Sequence, residues 1–286
     1  MSLLDPILQG ILLGGLYALF AAGLSLIFGV MRLVNIAHGD LIVLAAYVAY
    51  VVVSTTGLHP LLSLVIVIPL MGVFGYLLQV AILNRTRSED ILPPLLVTFG
   101  ISIIIQNALL TGFSADSRRL PAGDIEANSI EFAGTNLGVL PLVTFGIAVV
   151  LIIGLEILFS KTRVGRAFRA TSDDPEMARA IGLSTRRVFG YAMALSMAIV
   201  AVAAVLLAMR SNFDPFSGPA RLIYGFEAVI IGGLGSLWGT LVGGIVLGVA
   251  QSLGAQISPS FQIIAGHIVF FLILALRPRG LFAKAE

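Results

Sequence analysis

Cysteine is missing from this chain of 286 residues. Its absence excludes disulfide bonds, cysteine-bound iron–sulfur clusters and thiolate zinc sites. Phosphate-binding signatures are also missing: no GxxxxGKS or GxxxxGKT segment occurs, and Gly233-x-Gly235 lacks the further spacing and the preceding strand of a dinucleotide loop. We therefore expect no ATP hydrolysis, no cofactor and no metal site in this chain. No nucleophile–base pair of an enzymatic kind stands out, which favours a function other than catalysis.

Charged residues are scarce. They make up 11% of the chain, against 58% hydrophobic residues, whereas soluble proteins are about one quarter charged. With a mean hydropathy of +1.04, this composition indicates an all-α, polytopic helical bundle in a membrane, with residues 1–286 in a single domain. The net charge of +2 comes from basic residues beside the apolar spans, so we expect no nucleic-acid partner.

Apolar segments of spanning length recur along the chain. They cover residues 6–31, 36–53, 60–83, 91–113, 137–159, 188–209, 222–253 and 257–276. The segment 222–253 is longer than one crossing needs and is interrupted by Gly232, Gly233, Gly235 and Ser236. Each glycine costs about 1 kcal/mol against alanine in a helix, so we expect a broken helix here, with its two parts in close contact near mid-membrane. About nine crossings result, and a re-entrant hairpin at the break would instead give seven.

A polar island, residues 161–187, interrupts the apolar sequence. It carries ten formal charges, seven of them Lys or Arg, and such a basic loop belongs on the cytoplasmic side of a membrane. With nine crossings, 13 basic residues then lie inside, and four lie outside, namely Arg118, Arg119, Arg210 and Arg221. This bias predicts an external N-terminus and a cytoplasmic C-terminus.

The polar island contains the signals of a short helix. Asp174 suits the N-cap, Pro175 the first helical position and Gly182 the stop. Met177, Ala178 and Ile181 are expected on one apolar face. Such a helix either lies on the membrane surface or inserts this face into a groove of a cytoplasmic partner.

Two acidic residues in apolar surroundings are candidate functional groups. Asp40, with Asn35 and His38, stands at the start of the second span and follows Arg32 closely. We therefore expect Asp40 near the cytoplasmic boundary, as a cap or paired with Arg32 and lining a gate, with direct contact to a substrate as the alternative. Glu227 has no partner one helical turn away, which favours pairing between helices or subunits over lining of a permeation path.

The glycine break has two interpretations. Small residues let helices pack closely, and the GxxxG spacings of Gly239 with Gly243 and of Gly244 with Gly248 extend such a face. A broken backbone also exposes N–H and C=O groups to a substrate. The two interpretations are compatible.

Three separated motifs resemble the permease subunits of Liv-type ABC importers for branched-chain amino acids. They are Gly165-Arg166-Ala167-Phe168-Arg169-Ala170 followed by Asp174, Met177, Ala178, Gly182 and Leu183; Asn35-Ile36-Ala37-His38-Gly39-Asp40, which resembles the H subunit in particular; and Gly232-Gly233-Leu234-Gly235-Ser236-Leu237-Trp238-Gly239. By this resemblance, the polar island is a coupling loop that docks on an ATPase. The coupling residues would be Gly165, Arg166, Arg169, Asp174, Met177, Ala178, Ile181 and Gly182. Ser184 and Thr185 depart from the pattern of many relatives at the end of this loop.

The resemblance implies one permease subunit of an ATP-driven importer in the bacterial inner membrane, forming half of a translocation path for branched-chain or related amino acids. Its partners would be a homologous second permease, two cytoplasmic ATPase subunits that bind the ATP, an external substrate-binding protein and membrane lipid. The path or gate would include Asn35, His38, Asp40, Glu227, Gly232, Gly233, Gly235 and Ser236. Urea, short amides and aromatic acids are alternative cargoes. The rival class is a self-sufficient secondary transporter or channel, in which Asp40 and Glu227 would couple ions.

Overall fold

The protein is an all-α bundle of membrane-spanning helices, as the sequence predicts. The structure, a computed structural model, describes residues 3–86, 92–132 and 134–282. Within these ranges, eight helices are long and apolar enough to cross a membrane. They are α1 (Leu4–Met31), α2 (His38–Thr56), α3 (Pro60–Ala81), α4 (Leu92–Phe113), α6 (Val139–Lys161), α9 (Thr185–Arg210), α11 (Leu237–Ile257) and α12 (Pro259–Leu276).

The remaining elements are short and lie between these helices. They are a 3-10 turn (Leu83–Arg85), α5 (Asp124–Ala127), β1 (Ser129–Phe132), β2 (Thr135–Gly138), α7 (Arg163–Asp173), α8 (Pro175–Ala180) and α10 (Gly218–Gly232). Strands β1 and β2 pair antiparallel, from Ser129 opposite Gly138 to Phe132 opposite Thr135. This hairpin lies at one end of the bundle, the hairpin side, and helices α7 and α8 lie at the other end, the island side.

Local sequence signals set the beginnings of several helices. The N-caps of α7, α11 and α12 are Thr162, Ser236 and Ser258, and each side-chain oxygen accepts a hydrogen bond of 3.1 Å from the backbone N–H three residues further on. Such caps satisfy backbone donors that a helix leaves unpaired. Pro60 and Pro259 stand at the starts of α3 and α12, where a missing N–H costs nothing.

Helices α1 and α9 form the buried centre of the bundle and run in opposite directions. They are joined where the Ser196 hydroxyl donates to the Gly23 carbonyl oxygen at 2.8 Å. Helix α1 packs chiefly against α11, and α9 against α3. On α11, Gly244 and Gly248 lie so close to α1 that a Cβ atom added to Gly248 would be 2.3 Å from the Gly10 carbonyl oxygen. The packing of α11 on α1 therefore requires glycine at position 248.

Two helices begin inside the bundle rather than at its ends. After α1, residues 32–37 turn back into the bundle, so that His38, the first residue of α2, reaches the Phe20 carbonyl oxygen. At a rise of about 1.5 Å per residue, Phe20 lies about 16 Å along α1 from its end at Met31. After α9, residues 211–217 enter from the hairpin side, and α10 begins beside the first turn of α2. The halves α1–α4 and α9–α12 thus have the same order of elements. Each helix of one half runs in the opposite direction to its counterpart in the other half.

The described chain passes through the bundle nine times. Helix α10 has 15 residues and is about 22 Å long, less than the roughly 30 Å of a hydrocarbon core, so residues 211–217 complete this passage. Helix α11, with 21 residues, returns to the hairpin side, in keeping with about nine crossings. The break between α10 and α11 is confirmed. The expectation that it lies near mid-membrane is wrong, because its turn, residues 233–236, is on the island side.

Candidate functional site

Asp40 lies in the interior of the bundle and is only 2% exposed. Its Oδ2 accepts a hydrogen bond of 2.5 Å from the Ser102 hydroxyl, and its Oδ1 accepts one of 2.9 Å from Gln106 Nε2. Both donors lie on α4. The expectation that Asp40 sits at the cytoplasmic boundary, paired with Arg32, is wrong, because residues 32–37 carry the start of α2 deep into the bundle.

Asn35 and His38 hold this inward turn in place. The Asn35 Oδ1 accepts from the Ala37 backbone N–H at 3.1 Å, and His38 Nε2 lies 3.0 Å from the Phe20 carbonyl oxygen. Because a carbonyl oxygen only accepts, His38 carries its proton on Nε2. Asn35 Nδ2 and His38 Nδ1 are buried and have no hydrogen-bond partner among the described residues. The described residues thus leave two buried polar atoms unpaired beside the inward turn.

The first turns of α2 and α10 touch at two glycines. A Cβ atom added to Gly39 would lie 2.1 Å from the Gly218 carbonyl oxygen, and one added to Gly218 would lie 2.1 Å from Asp40 Oδ1. The N-terminus of a helix carries partial positive charge. Two helix N-termini thus converge inside the bundle with one carboxylate between them. Breaks of this kind, deep in a helical bundle, form the substrate and ion sites of many transporters.

Glu227 pairs across the bundle, as the sequence analysis favoured. Its Oε1 contacts Nδ1 of His267 on α12, while its Oε2 is buried and has no partner among the described residues. The side chain of Glu227 is 6% exposed and that of His267 36%. The pair therefore joins α10 to α12 at the edge of the bundle.

The glycine turn, residues 233–236, connects α10 to α11 at the island side. Gly233 and Gly235 have φ angles of 104° and 80°, which residues other than glycine rarely adopt. Ser236 then caps α11. The carbonyl oxygens of Ile231 and Gly232, at the end of α10, accept from the backbone N–H groups of residues 281 and 282 at 2.9 and 3.0 Å. The C-terminal segment thus closes this turn.

The polar island forms the short helix that the sequence predicts. Asp174 Oδ1 accepts from the N–H groups of Glu176 and Met177, both at 2.9 Å, and Gly182 has a φ of 90°. The prediction that the apolar residues share one face is wrong. Met177 and Ile181 are 61% and 69% exposed, whereas Ala178 is 2% exposed and faces its own chain.

The sequence analysis did not predict a second helix in the polar island, α7. Gly165 lets α7 approach the end of α6, because an added Cβ would lie 2.2 Å from the Leu158 carbonyl oxygen. Arg169 Nη1 donates to the Phe159 carbonyl oxygen, near the end of α6. Gly165 and Arg169 therefore fix α7 against α6, while Arg166 stays exposed. The signals for α7 were its Thr162 cap and the spacing of its buried residues Gly165, Phe168 and Thr171.

The island is joined to the glycine turn through the end of α1. The Ser172 hydroxyl on α7 donates to the Gly29 carbonyl oxygen at 2.6 Å, and a Cβ added to Gly235 would lie 3.4 Å from the Gly29 Cα. A cavity of about 380 Å³ lies beside this junction, lined among others by Ser25, Glu156 and Trp238. The island and the glycine turn thus contact the same residue of α1, Gly29.

The residues predicted to line the path or gate form three groups rather than one site. Asn35, His38 and Asp40 lie at the centre, Glu227 lies between α10 and α12, and the glycine turn lies beside the island. Ser102, Gln106 and His267 were missed because their partners are distant in sequence. Among the described residues, no group of three His, Cys, Asp or Glu side chains could hold a metal ion.

The chain is similar in sequence to known transport permeases. The chain is 27% identical to the high-affinity branched-chain amino acid transport system permease protein BraD of Pseudomonas aeruginosa, over 99% of this chain and 96% of that protein. It is 26% identical to the permease protein LivH of the corresponding system of Escherichia coli, with the same shares covered. It is 30% identical to a probable LivH of Methanocaldococcus jannaschii, over 86% of this chain and 80% of that protein.

No solved structure matches this chain. The family model described as the permease component of branched-chain amino acid transport systems matches residues 6–276. With a bundle of spanning helices, two helices that begin in its interior and a structured polar island at one end, the chain belongs to this family of transport permeases.

Proposed function

We propose that this protein is the permease subunit of an ATP-driven importer for branched-chain or related amino acids. The meeting of α2 and α10 at Gly39 and Gly218, beside buried Asp40, is the observation that carries the proposal. It places two helix N-termini and a polar cluster in the interior of the bundle. Discontinuous helices of this kind form substrate and ion sites near the midplane in many transporters. The substrates named for the family and its relatives support the choice of cargo.

The partners follow from the same proposal. A single chain forms half of the path, and a homologous second permease forms the other half. One ATPase docks on the polar island and the other docks on the second permease, and an external binding protein delivers the cargo to the hairpin side. The inner membrane then holds the chain with its N-terminus outside and its C-terminus inside. Met177 and Ile181 support the docking, because they are apolar and exposed beside basic residues of the island.

A coupling route runs from the island to the interior. ATP-driven closure of the ATPases would move α7, whose Ser172 holds the end of α1 at Gly29. The Gly235 turn touches Gly29, so α10 would shift with it. The other end of α10 is the Gly218 contact with Asp40, where the shift would open or close the path.

Reconstitution tests the proposal. The permease, its second permease and the ATPases are purified as one complex and placed in proteoliposomes with the binding protein. ATP-dependent uptake of labelled leucine, isoleucine or valine is expected. Uptake of only urea, an amide or an aromatic acid would show that the proposed cargo is wrong and identify the alternative. Uptake by the permease alone, driven by an ion gradient without ATP, would establish the rival secondary transporter.

A further inference from the structure

Polar side chains from four helices surround Tyr17, and the coupling route does not use them. We call them the Tyr17 cluster: Tyr17 on α1, Arg210 at the end of α9, Arg221, Tyr224 and Glu227 on α10, and Gln251 on α11. The rings of Tyr17 and Tyr224 lie 5.0 Å apart between centroids. The Tyr17 hydroxyl donates to Gln251 Oε1 at 2.6 Å. The cluster is thus built around a fixed aromatic pair.

Neither arginine of the cluster has a side-chain partner among the described residues. Arg221 lies one helical turn before Tyr224, and both Arg210 and Arg221 are within electrostatic range of the Tyr17 hydroxyl. Arg210 Nη1 and Arg221 Nε are buried without a hydrogen-bond acceptor, and neither side chain forms an ion pair with a described residue. Ionised side chains inside a bundle are costly unless they are paired. Two unpaired guanidinium groups beside one tyrosine indicate an anionic ligand.

The same cluster offers a further donor and an acceptor. Gln251 is 1% exposed and Glu227 4% exposed. Gln251 Oε1 accepts from Tyr17, whereas Gln251 Nε2 is buried and has no partner among the described residues. Glu227 Oε2 is also unpaired, because His267 binds only Oε1. Unpaired donors and an unpaired carboxylate oxygen thus occur around one aromatic pair.

This set matches a ligand that carries a carboxylate and an ammonium group close together. Guanidinium groups bind carboxylates through paired N–H donors, and a carboxylate oxygen is a natural acceptor for an ammonium group. We propose that the Tyr17 cluster binds the zwitterionic head of an amino acid as it passes through the protein. The carboxylate is held by Arg210, Arg221 and Gln251, and the ammonium by Glu227. This site rests on the proposed function and specifies the chemical group that its cargo must carry.

The site recognises the part that all amino acids share and leaves the aliphatic side chain without a polar contact. Arg221 and Tyr224 are half-buried, and Ile223 between them is 48% exposed. The side of the cluster formed by Arg221 and Tyr224 therefore lies near the outer face of α10. A cargo without a carboxylate, such as urea or an amide, would leave both arginines unpaired.

The test uses the complete complex in proteoliposomes and measures ATP-dependent uptake of labelled leucine below saturation. Loss of a hydrogen bond to a charged group predicts a fall of about tenfold or more in Arg210→Gln and in Arg221→Gln. Arg221→Lys keeps the positive charge but loses the planar guanidinium group. Its uptake is expected to fall less than that of Arg221→Gln. Arg277→Gln, at an exposed arginine beyond α12, is the matched control and should retain wild-type uptake.

Variants are compared only where they copurify with the ATPases and keep the substrate-free rate of ATP hydrolysis. Wild-type uptake in both assembled glutamine variants overturns the site while leaving the proposed function intact. If neither glutamine variant assembles, Arg221→Lys decides: reduced uptake supports the site, and wild-type uptake overturns it. A wild-type complex that imports no amino acid overturns the proposed function and the site together.

Discussion

Oδ1 of Asp40 lies against the first residue of α10, so closely that a Cβ atom on Gly218 would be 2.1 Å from it and 2.9 Å from the Asp40 Cα. This contact excludes any side chain at Gly218. It also places the Asp40 carboxylate between two helix N-termini, whose partial positive charges it offsets. Because Ser102 and Gln106 of α4 bind the same carboxylate, Asp40 links three helices at the point where both discontinuous helices begin.

Gly218→Ala should therefore separate α10 from α2. We expect a loss of about 1–3 kcal/mol in the free energy of unfolding, together with reduced uptake. Gly225→Ala is the matched control on the same helix, because its Cβ would meet Phe20 at an ordinary 3.5 Å. Denaturant unfolding in mixed micelles measures the free energy of unfolding of both variants. Equal stability of the two variants would contradict the close contact.

Local signals in the sequence were sufficient for some elements. Asp174, Pro175 and Gly182 defined the island helix, because caps and stops act within a few residues. The glycines of residues 232–236 likewise marked the break, since they disfavour a continuous helix. Hydropathy was sufficient for the bundle itself, because lipid requires spanning helices of known length.

Long-range placement was beyond local signals. Hydropathy does not distinguish a loop at the membrane surface from a segment that turns back into the bundle, so Asp40 was expected too near the boundary. Arg221 was likewise counted with the external residues, although it is the fourth residue of α10. The pairing of Glu227 with His267 spans 40 residues and leaves no periodic pattern. Arg87 and Lys284, counted among the internal basic residues, lie outside the described residues.

Because the chain has no cysteine, single cysteines can test its orientation. Ser129 on the hairpin side and Ser184 beside α8 are both exposed, and Ser→Cys is a small change at either position. An impermeant thiol reagent applied to intact spheroplasts should label Ser129→Cys and spare Ser184→Cys until the membrane is broken. The reverse labelling would invert the proposed orientation.

Docking of the ATPase should depend on the exposed face of α8. Met177→Asp and Ile181→Asp place charge on apolar side chains that project from the protein, so they should abolish copurification of the ATPases without lowering the stability of the permease. Ile130→Asp, on the exposed β-hairpin at the opposite side, should leave copurification unchanged. Ala178→Arg is expected to disturb the island itself, because Ala178 is buried. Normal copurification of both α8 variants would place the docking surface elsewhere.

Close packing of α11 on α1 gives a prediction for Gly248. Its Cβ would lie 2.3 Å from the Gly10 carbonyl oxygen, and because that atom is backbone, the helices themselves must move apart. Gly248→Ala should cost about 1–3 kcal/mol in the free energy of unfolding. Gly146→Ala on α6, with nothing within 4 Å, should be neutral or slightly stabilising, since alanine favours the helix. Matching unfolding curves for the two variants would rule out glycine-dependent packing between α1 and α11.

The pairing of Glu227 with His267 should appear as a coupling energy between α10 and α12. Glu227→Gln and His267→Gln each remove one member of the contact, and their effects on the free energy of unfolding should depart from additivity by about 0.5–3 kcal/mol. Glu227→Gln combined with Ser102→Ala is the control, because Ser102 binds Asp40 and no group of this pair. That combination should be additive to within about 0.5 kcal/mol. His267→Gln should also lower uptake less than Glu227→Gln, since His267 only positions the carboxylate whose free oxygen is assigned to the cargo. Additive effects at Glu227 and His267 would show that the contact contributes no stability, and equal uptake losses would remove the distinction between the two residues.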